Sequence, residues 1–149
     1  LTNMPLSLSP ISWINAITRV KTKRPFDHIS ILKDGLIYES VFGEGVHCIS
    51  YVEWIKGREG TTAFIFDLPD DYLDFNVFDV LEGTKYDIKA NLLFLFGRED
   101  RLKYEANDRI FCSELEANMA GRAEPYKQTP GSCAIRYMNL GFQMSMVLI

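Results

Sequence analysis

Phe26-Asp27-His28-Ile29-Ser30-Ile31-Leu32-Lys33-Asp34-Gly35-Leu36-Ile37-Tyr38-Glu39-Ser40-Val41 is the stretch on which the reading of this chain turns. Two β-rich runs flank Asp34-Gly35, a dipeptide that strongly specifies a two-residue hairpin loop because it tolerates positive φ at both loop positions. With that loop, Lys33 pairs with Leu36, Ser30 falls opposite Glu39 and His28 opposite Val41. Strand alternation then sends His28, Ser30, Ile37, Glu39 and Val41 to one face. His28 and Glu39 become diagonal neighbours roughly 7 Å apart at the backbone, a gap that two longer polar side chains span. A loop one residue longer or shorter would swap the faces of one strand, so the His–Glu pair depends on this turn.

Upstream, Ser9-Pro10 opens a helix in which Ile11, Ile14, Ile17 and Val20 recur at helical spacing, and Pro25 ends it after the basic residues 21–24. Downstream, Gly43 and Gly45 break the second strand. Residues 46–52 then read as a short strand leading into a turn or helix at 53–56. The β-branched and aromatic run 61–68, bounded by Gly60 and Pro69, reads as a buried central strand. Asp70 is a suitable cap for a helix over 71–81 that Gly83 ends. A second helix over 86–96 is apolar on most sides. After a charged connection at 100–105, Asn107 or Asp108 can cap a helix running to Gly121, with Cys112 in its first turn. Residues from Glu124 onward, with Pro125, Pro130 and Gly131, read as loop leading to an apolar tail.

The chain has 149 residues, 47% of them hydrophobic, which suits one domain with its own core. A formal charge of -4, with Lys and Arg scattered, gives no electrostatic reason for a nucleic-acid partner. Cys48, Cys112 and Cys133 are odd in number and far apart, matching neither a disulfide framework nor a zinc site. The opening residues 1–11 lack a basic start and are interrupted by Pro5 and Pro10, so they do not read as a signal peptide. The uncharged residues 137–149 are too short to span a bilayer, and no transmembrane segment is expected. A cytoplasmic or virion-associated location is the most compatible with these features. Oligomeric state cannot be read from the sequence.

Cysteine attacks carbonyl carbon as thiolate, which a helix N-terminus and a neighbouring imidazolium both favour. Cys112 has the first by local sequence. First-turn amides can also donate to a developing oxyanion, a stabilisation of roughly 3 to 4 kcal/mol per donor.

The order His28 in Phe26-Asp27-His28-Ile29-Ser30-Ile31, Glu39 in Ile37-Tyr38-Glu39-Ser40, the element Gly83-x-x-Tyr86-Asp87 and Phe111-Cys112-Ser113-Glu114-Leu115 resembles the circularly permuted NlpC-type papain-like cysteine hydrolases, their YiiX/YaeF-like branch. That branch places His and Glu before Cys, as here, and the likeness covers about residues 11–121. The resemblance implies one α+β papain-like domain, an antiparallel sheet of four to six strands packed against helices, with 122–149 as loop and tail. It implies Cys112 as nucleophile, His28 as base and then acid, Glu39 orienting the imidazole, and Tyr86, Asp87 and Ser113 at the substrate groove. Expected substrates are cell-wall (peptidoglycan-type) peptides or acyl groups on lipids or lipoproteins, in a bacterial or phage setting. No metal or organic cofactor is required. Two departures stand out. Glu116 occupies a position where an apolar residue is expected, and the tail after Gly121 matches nothing in the family.

Each residue also has a plainer reading. Taken singly, His28 is a satisfied strand histidine and Cys112 a small buried hydrophobe. It is their conjunction in this order that favours catalysis. Glu39 either orients His28 or faces solvent, and only the register separates the two. His47 reads as structural because it and Cys48 point to opposite faces. Cys133 is given no role, and Asp70, Asp71 and Asp74 read as helix capping rather than metal ligands. Trp13 and Trp54 read as core or groove lining. Acyl transfer to an acceptor other than water, and a non-catalytic binding or phage assembly module, are the alternatives to hydrolysis.

Overall fold

The computed structural model describes residues 28–56, 58–89 and 109–149. Asp34 and Gly35 take positive φ of 51° and 77°, as a type I′ turn requires. They join β1 (Ser30–Lys33) to β2 (Leu36–Val41) with Lys33 opposite Leu36 and Ser30 opposite Glu39. The expected register is therefore present, although the ladder stops at Ser30 and His28 lies just before it. β2 pairs on its other side with β3 (Gly45–Ser50), giving an antiparallel order β1-β2-β3.

Gly45 is required where it stands. Its φ is +80°, and a Cβ there would sit 2.2 Å from the Thr84 carbonyl oxygen, which also accepts the Val46 N–H. Gly45→Ala is expected to destabilise the fold by at least about 2 kcal/mol, from backbone strain plus the clash. Thermal unfolding measures this, and Gly43→Ala is the control for strain alone because nothing lies within 4 Å of its added Cβ.

The strand expected over 46–52 ends at Ser50. That serine accepts from the Glu53 N–H and donates to its carboxylate, so Tyr51 and Val52 enter α1 (Tyr51–Ile55) instead. Among the described residues β4 (Thr62–Phe66) pairs only with β7 (Met144–Leu148) and so is not the central strand expected over 61–68, and its Ile65 is 40% exposed. An apolar run reports low polarity but not the number of pairing partners, and here the second partner is missing among the described residues.

The helix expected from residue 71 starts later. α2 is Phe75–Leu81, capped by Asp74, whose side chain accepts the Asn76 N–H, rather than by Asp70. Tyr86 lies in β5 (Lys85–Tyr86), which pairs in parallel with β6 (Arg109–Ile110), so the helix proposed over 86–96 does not begin at Tyr86. The remainder of that helix from residue 90, the helix near 11–20 and the connection at 100–105 lie outside the described residues. The helix expected from a cap at Asn107 or Asp108, themselves outside those residues, starts later, because Arg109 and Ile110 are taken up by β6 and the N-cap is Phe111, which has no side chain able to accept.

Directly after β6 comes α3 (Cys112–Met119). Residues 122–149 are not a loop and tail. They hold a 3-10 turn (Pro125–Lys127), α4 (Pro130–Asn139) and β7. Pro130 is not in a loop but occupies the first turn of a helix capped reciprocally by Thr129 and Ser132, where its missing N–H costs nothing.

The fold is thus α+β, with antiparallel pairs packed on helices. The expected single sheet of four to six strands is replaced, among the described residues, by a three-stranded antiparallel sheet, a two-stranded antiparallel sheet and a two-stranded parallel one. Val46, Leu73, Phe78, Ile110, Leu115 and Met119 form the core between the sheet and α2 and α3, with Tyr38 in T-shaped contact with Phe75 and Phe78. Among the described residues no helix is long and apolar enough to cross a membrane.

Candidate active site

Two fixed points bring the hairpin to the start of α3. The buried Ser40 hydroxyl on β2 donates to the Ile110 carbonyl oxygen at 2.6 Å, two residues before Cys112. On the other side, Tyr86 pairs with Ile110 and the Asp87 N–H reaches the same carbonyl. A single buried oxygen therefore ties β2, β5 and the turn into α3 together.

Glu39 is 1% exposed and faces inward, which excludes the solvent-facing reading. His28 Nε2 lies 2.8 Å from Glu39 Oε2. The same carboxylate oxygen accepts from Ser30 Oγ at 2.7 Å and from Trp54 Nε1 at 3.0 Å. Burial alone would raise this carboxyl's pKa. The hydrogen bond and charge of His28, helped by Ser30 and Trp54, overcome burial and bring it down to about 2.

The Cys112 side chain lies within electrostatic reach of the His28 ring. With Nε2 directed at Glu39, Nδ1 is the nitrogen left to face sulfur, and a neutral ring protonated on Nε2 would hold a basic lone pair there. Burial works against the imidazolium, but the ring remains 31% exposed. The Cys112 charge, with Glu39 behind it, holds its pKa well up, to about 10. Cys112 is 5% exposed and is the first residue of α3, where its own amide and that of Ser113 have no intrahelical acceptor.

The site's other expected residues divide. Tyr86 is half-buried with its ring edge toward Phe42, and Asp87 is buried one residue further on; both lie beside the start of α3. The Ser113 hydroxyl is buried and donates to the Gln128 carbonyl oxygen, so its side chain does not line a groove and only its backbone amide is left for a ligand.

Sequence reasoning missed Trp54, Arg58 and His47 around Glu39. His47 stands opposite Glu39 on β3 with Nε2 3.7 Å from Oε1. Extending the register through the Gly43 turn would have found it. Arg58 Nη2 approaches Oε1 at 3.5 Å, and nothing local in the sequence signals that.

Glu114, two residues after Cys112, has its carboxyl pushed up to about 7. Burial is the main cause, the Phe111 N–H bonded to it opposes, and the Asp87 charge adds to the rise. A carboxyl raised in the folded state stabilises fully below its unfolded value, and the contribution is lost as pH rises through about 7. Glu114→Gln keeps an acceptor for Phe111 and removes the ionisation. It is expected to melt higher than wild type at about pH 8 and level with it at about pH 4. Melting curves at the two pH values check this, and an equal difference at both would contradict it.

Compared with known proteins, the chain matches no family model, no curated protein and no solved structure.

Proposed function

We propose that this chain is a cysteine hydrolase of the permuted NlpC-type papain-like kind, cleaving amide or ester bonds by acyl transfer to water. The observation that carries the reading is the position of the His28 ring. It is bonded to a buried carboxylate and has the sulfur that opens a helix within electrostatic reach, although the sequence separates these groups widely.

In the proposed cycle the Cys112 proton rests on His28, and the imidazolium is held by Glu39. Thiolate attack on the carbonyl carbon forms a C–S bond and sends the carbonyl π pair to oxygen. The Cys112 and Ser113 amides are the nearest oxyanion donors that α3 offers. Collapse expels the amine or alkoxide, which takes the His28 proton, leaving a thioester. Water, deprotonated by the now neutral His28, attacks the thioester, and thiolate and imidazolium are regenerated. Glu39 keeps Nε2 as the donor nitrogen throughout, so Nδ1 alone exchanges the proton. Cell-wall peptides and lipid- or lipoprotein-linked acyl groups are the proposed substrates.

A substrate-independent test is the pH profile of Cys112 alkylation. An ordinary thiol with pKa near 8.5 loses thiolate tenfold per pH unit below that value. A thiolate held by an imidazolium stays ionised to about pH 4, at some cost in nucleophilicity (a Brønsted slope of about 0.4–0.5). The wild type should therefore label at a nearly flat rate from about pH 5 to 8. His28→Ala should fall steeply with acid, to about 10–100-fold slower at pH 5. The other two thiols give little background: burial raises the pKa of both Cys48 and Cys133, and in Cys133 the Glu116 charge adds to it. Superimposable profiles for wild type and His28→Ala would refute the triad.

A further inference from the structure

Glu39 is held from a direction that the three proposed catalytic groups do not explain. α1 buries none of its residues, and Val52 on it is 61% exposed, so it is not a core element. Yet its Trp54 spends the indole N–H on Glu39 Oε2 at 3.0 Å. Arg58 follows in the next turn of chain. Its guanidinium lies over the Trp54 ring at 4.4 Å, its Nη1 donates to the Trp54 carbonyl oxygen at 2.7 Å, and its Nη2 faces Glu39 Oε1 at 3.5 Å. Indole and guanidinium thus form one stacked unit that contacts both oxygens of the same carboxylate.

We propose that Trp54 and Arg58 are positioning residues for the His28 imidazole, acting through Glu39. They clamp its carboxylate in the orientation and charge state that the histidine needs. The inference rests on the triad reading and adds a specific outer layer to it.

The alternative is that Trp54 and Arg58 only fasten α1 to the sheet. Three features favour the positioning role. The carboxylate is buried, so water cannot replace a lost donor. Its oxygens are addressed by side chains from three sides: His28 and Ser30 at the start of the hairpin, His47 on β3, and the Trp54–Arg58 unit. Finally, α1 already has its own attachment through the Tyr51 N–H to the Gly35 carbonyl. Among the described residues the remaining titratable neighbours are Cys112 beyond His28 and Glu44, 3.4 Å from His47 Nε2. Neither supplies a donor to Glu39.

Removing donors from an ionised carboxylate makes it protonate at a higher pH. A Glu39 that is less firmly oriented and more easily protonated holds the imidazolium less well, and the thiolate–imidazolium pair fails at a higher pH. The expected readout is the acid edge of the Cys112 alkylation profile with iodoacetamide, followed by peptide mass spectrometry to isolate labelling at Cys112. Trp54→Phe should move that edge up by about one pH unit and Arg58→Met by about half a unit. Arg58→Lys, which keeps the charge, should return most of the Arg58→Met shift. Val52→Ala, on the exposed side of α1, should overlay wild type.

A purely structural role would lower the melting temperature without moving the edge. Arg58 is a third exposed, so Arg58→Met does not depend on the Trp54 variant folding. The inference is overturned if folded Trp54→Phe and Arg58→Met both overlay the wild-type profile while His28→Ala loses its plateau. If His28→Ala overlays wild type as well, the triad reading itself has failed.

Discussion

Cys112→Ala is expected to lower turnover of acyl substrates by about 10⁴-fold or more, with His28→Ala close behind. The size follows from the chemistry asked of each group. Without the sulfur there is no thioester, and water must attack an unactivated carbonyl directly. In the proposed cycle, loss of the imidazole removes the acceptor for the sulfur's proton, and the leaving group departs without a proton. The two losses should not add, because nucleophile and base act as one unit. The double variant should therefore be barely slower than either single one.

Glu39→Gln should fall between these and wild type. It keeps an oxygen for His28 Nε2 but removes the charge that stabilises the imidazolium. It also brings an amide into a cavity lined by donors, namely Ser30 Oγ, Trp54 Nε1 and Arg58 Nη2. The measurement is steady-state hydrolysis of a panel of cell-wall peptide fragments and acyl esters, with Cys112→Ala as background. Turnover by Cys112→Ala within twofold of wild type would end the proposal.

The second large effect is on stability and lies away from the site. Arg122→Ala is expected to destabilise the domain by about 3–5 kcal/mol, lowering Tm by roughly 10 °C. Glu116 on α3 is buried, and its carboxylate accepts from Arg122 Nη2, the Tyr137 hydroxyl and Cys133 Sγ, the last two on α4. Arg122 also reaches the Tyr72 hydroxyl, and its side chain is only 4% exposed. Deleting the guanidinium leaves a carboxylate with neutral donors and no counter-charge in a dry site. That is the expensive way to break such a pair.

Replacing both members by apolar residues of similar size is a different perturbation. Glu116→Leu with Arg122→Met should recover most of the loss, since neither desolvated charge remains. The pair is also imperfectly served, because Arg122 Nε is buried with no partner among the described residues. Chemical denaturation of the three proteins separates the cases. An Arg122→Ala loss below about 1 kcal/mol would mean that the pair contributes little net stability. This cluster also explains why α3 carries a glutamate where the family resemblance expects an apolar residue. Here the helix is fastened to α4 by a charge network as well as by packing.

The legible parts of the sequence were local. Asp34-Gly35 dictated a turn with two positive φ values, and the turn dictated which residues face each other. Ser30 opposite Glu39, and His28 within reach of that carboxylate, therefore followed from counting. Ser50 with Glu53, and Thr129-Pro130 with Ser132, carried equally local capping signals. Such capping signals lie in the position of one or two residues, whereas the β-branched and proline-rich composition around them points to strand and loop.

β4 shows a different limit. Thr62–Phe66 has the composition of a central strand, but whether a strand gains one neighbour or two is decided by chain segments far from it. The clamp on Glu39 is of the same kind: Trp54 and Arg58 are neighbours in sequence, while their common target lies at a distance on β2.

What the sequence alone determined was the hairpin, its register, the His28–Glu39 pairing and a cysteine at the head of a helix, because each depends on backbone preferences acting over a few residues. What only the tertiary structure decided was that the sulfur meets the imidazole. That meeting depends on the Ser40 hydroxyl binding the Ile110 carbonyl and on β5 lying beside β6. Contacts between distant segments are selected by the packing of the whole core, so no short stretch of sequence encodes them.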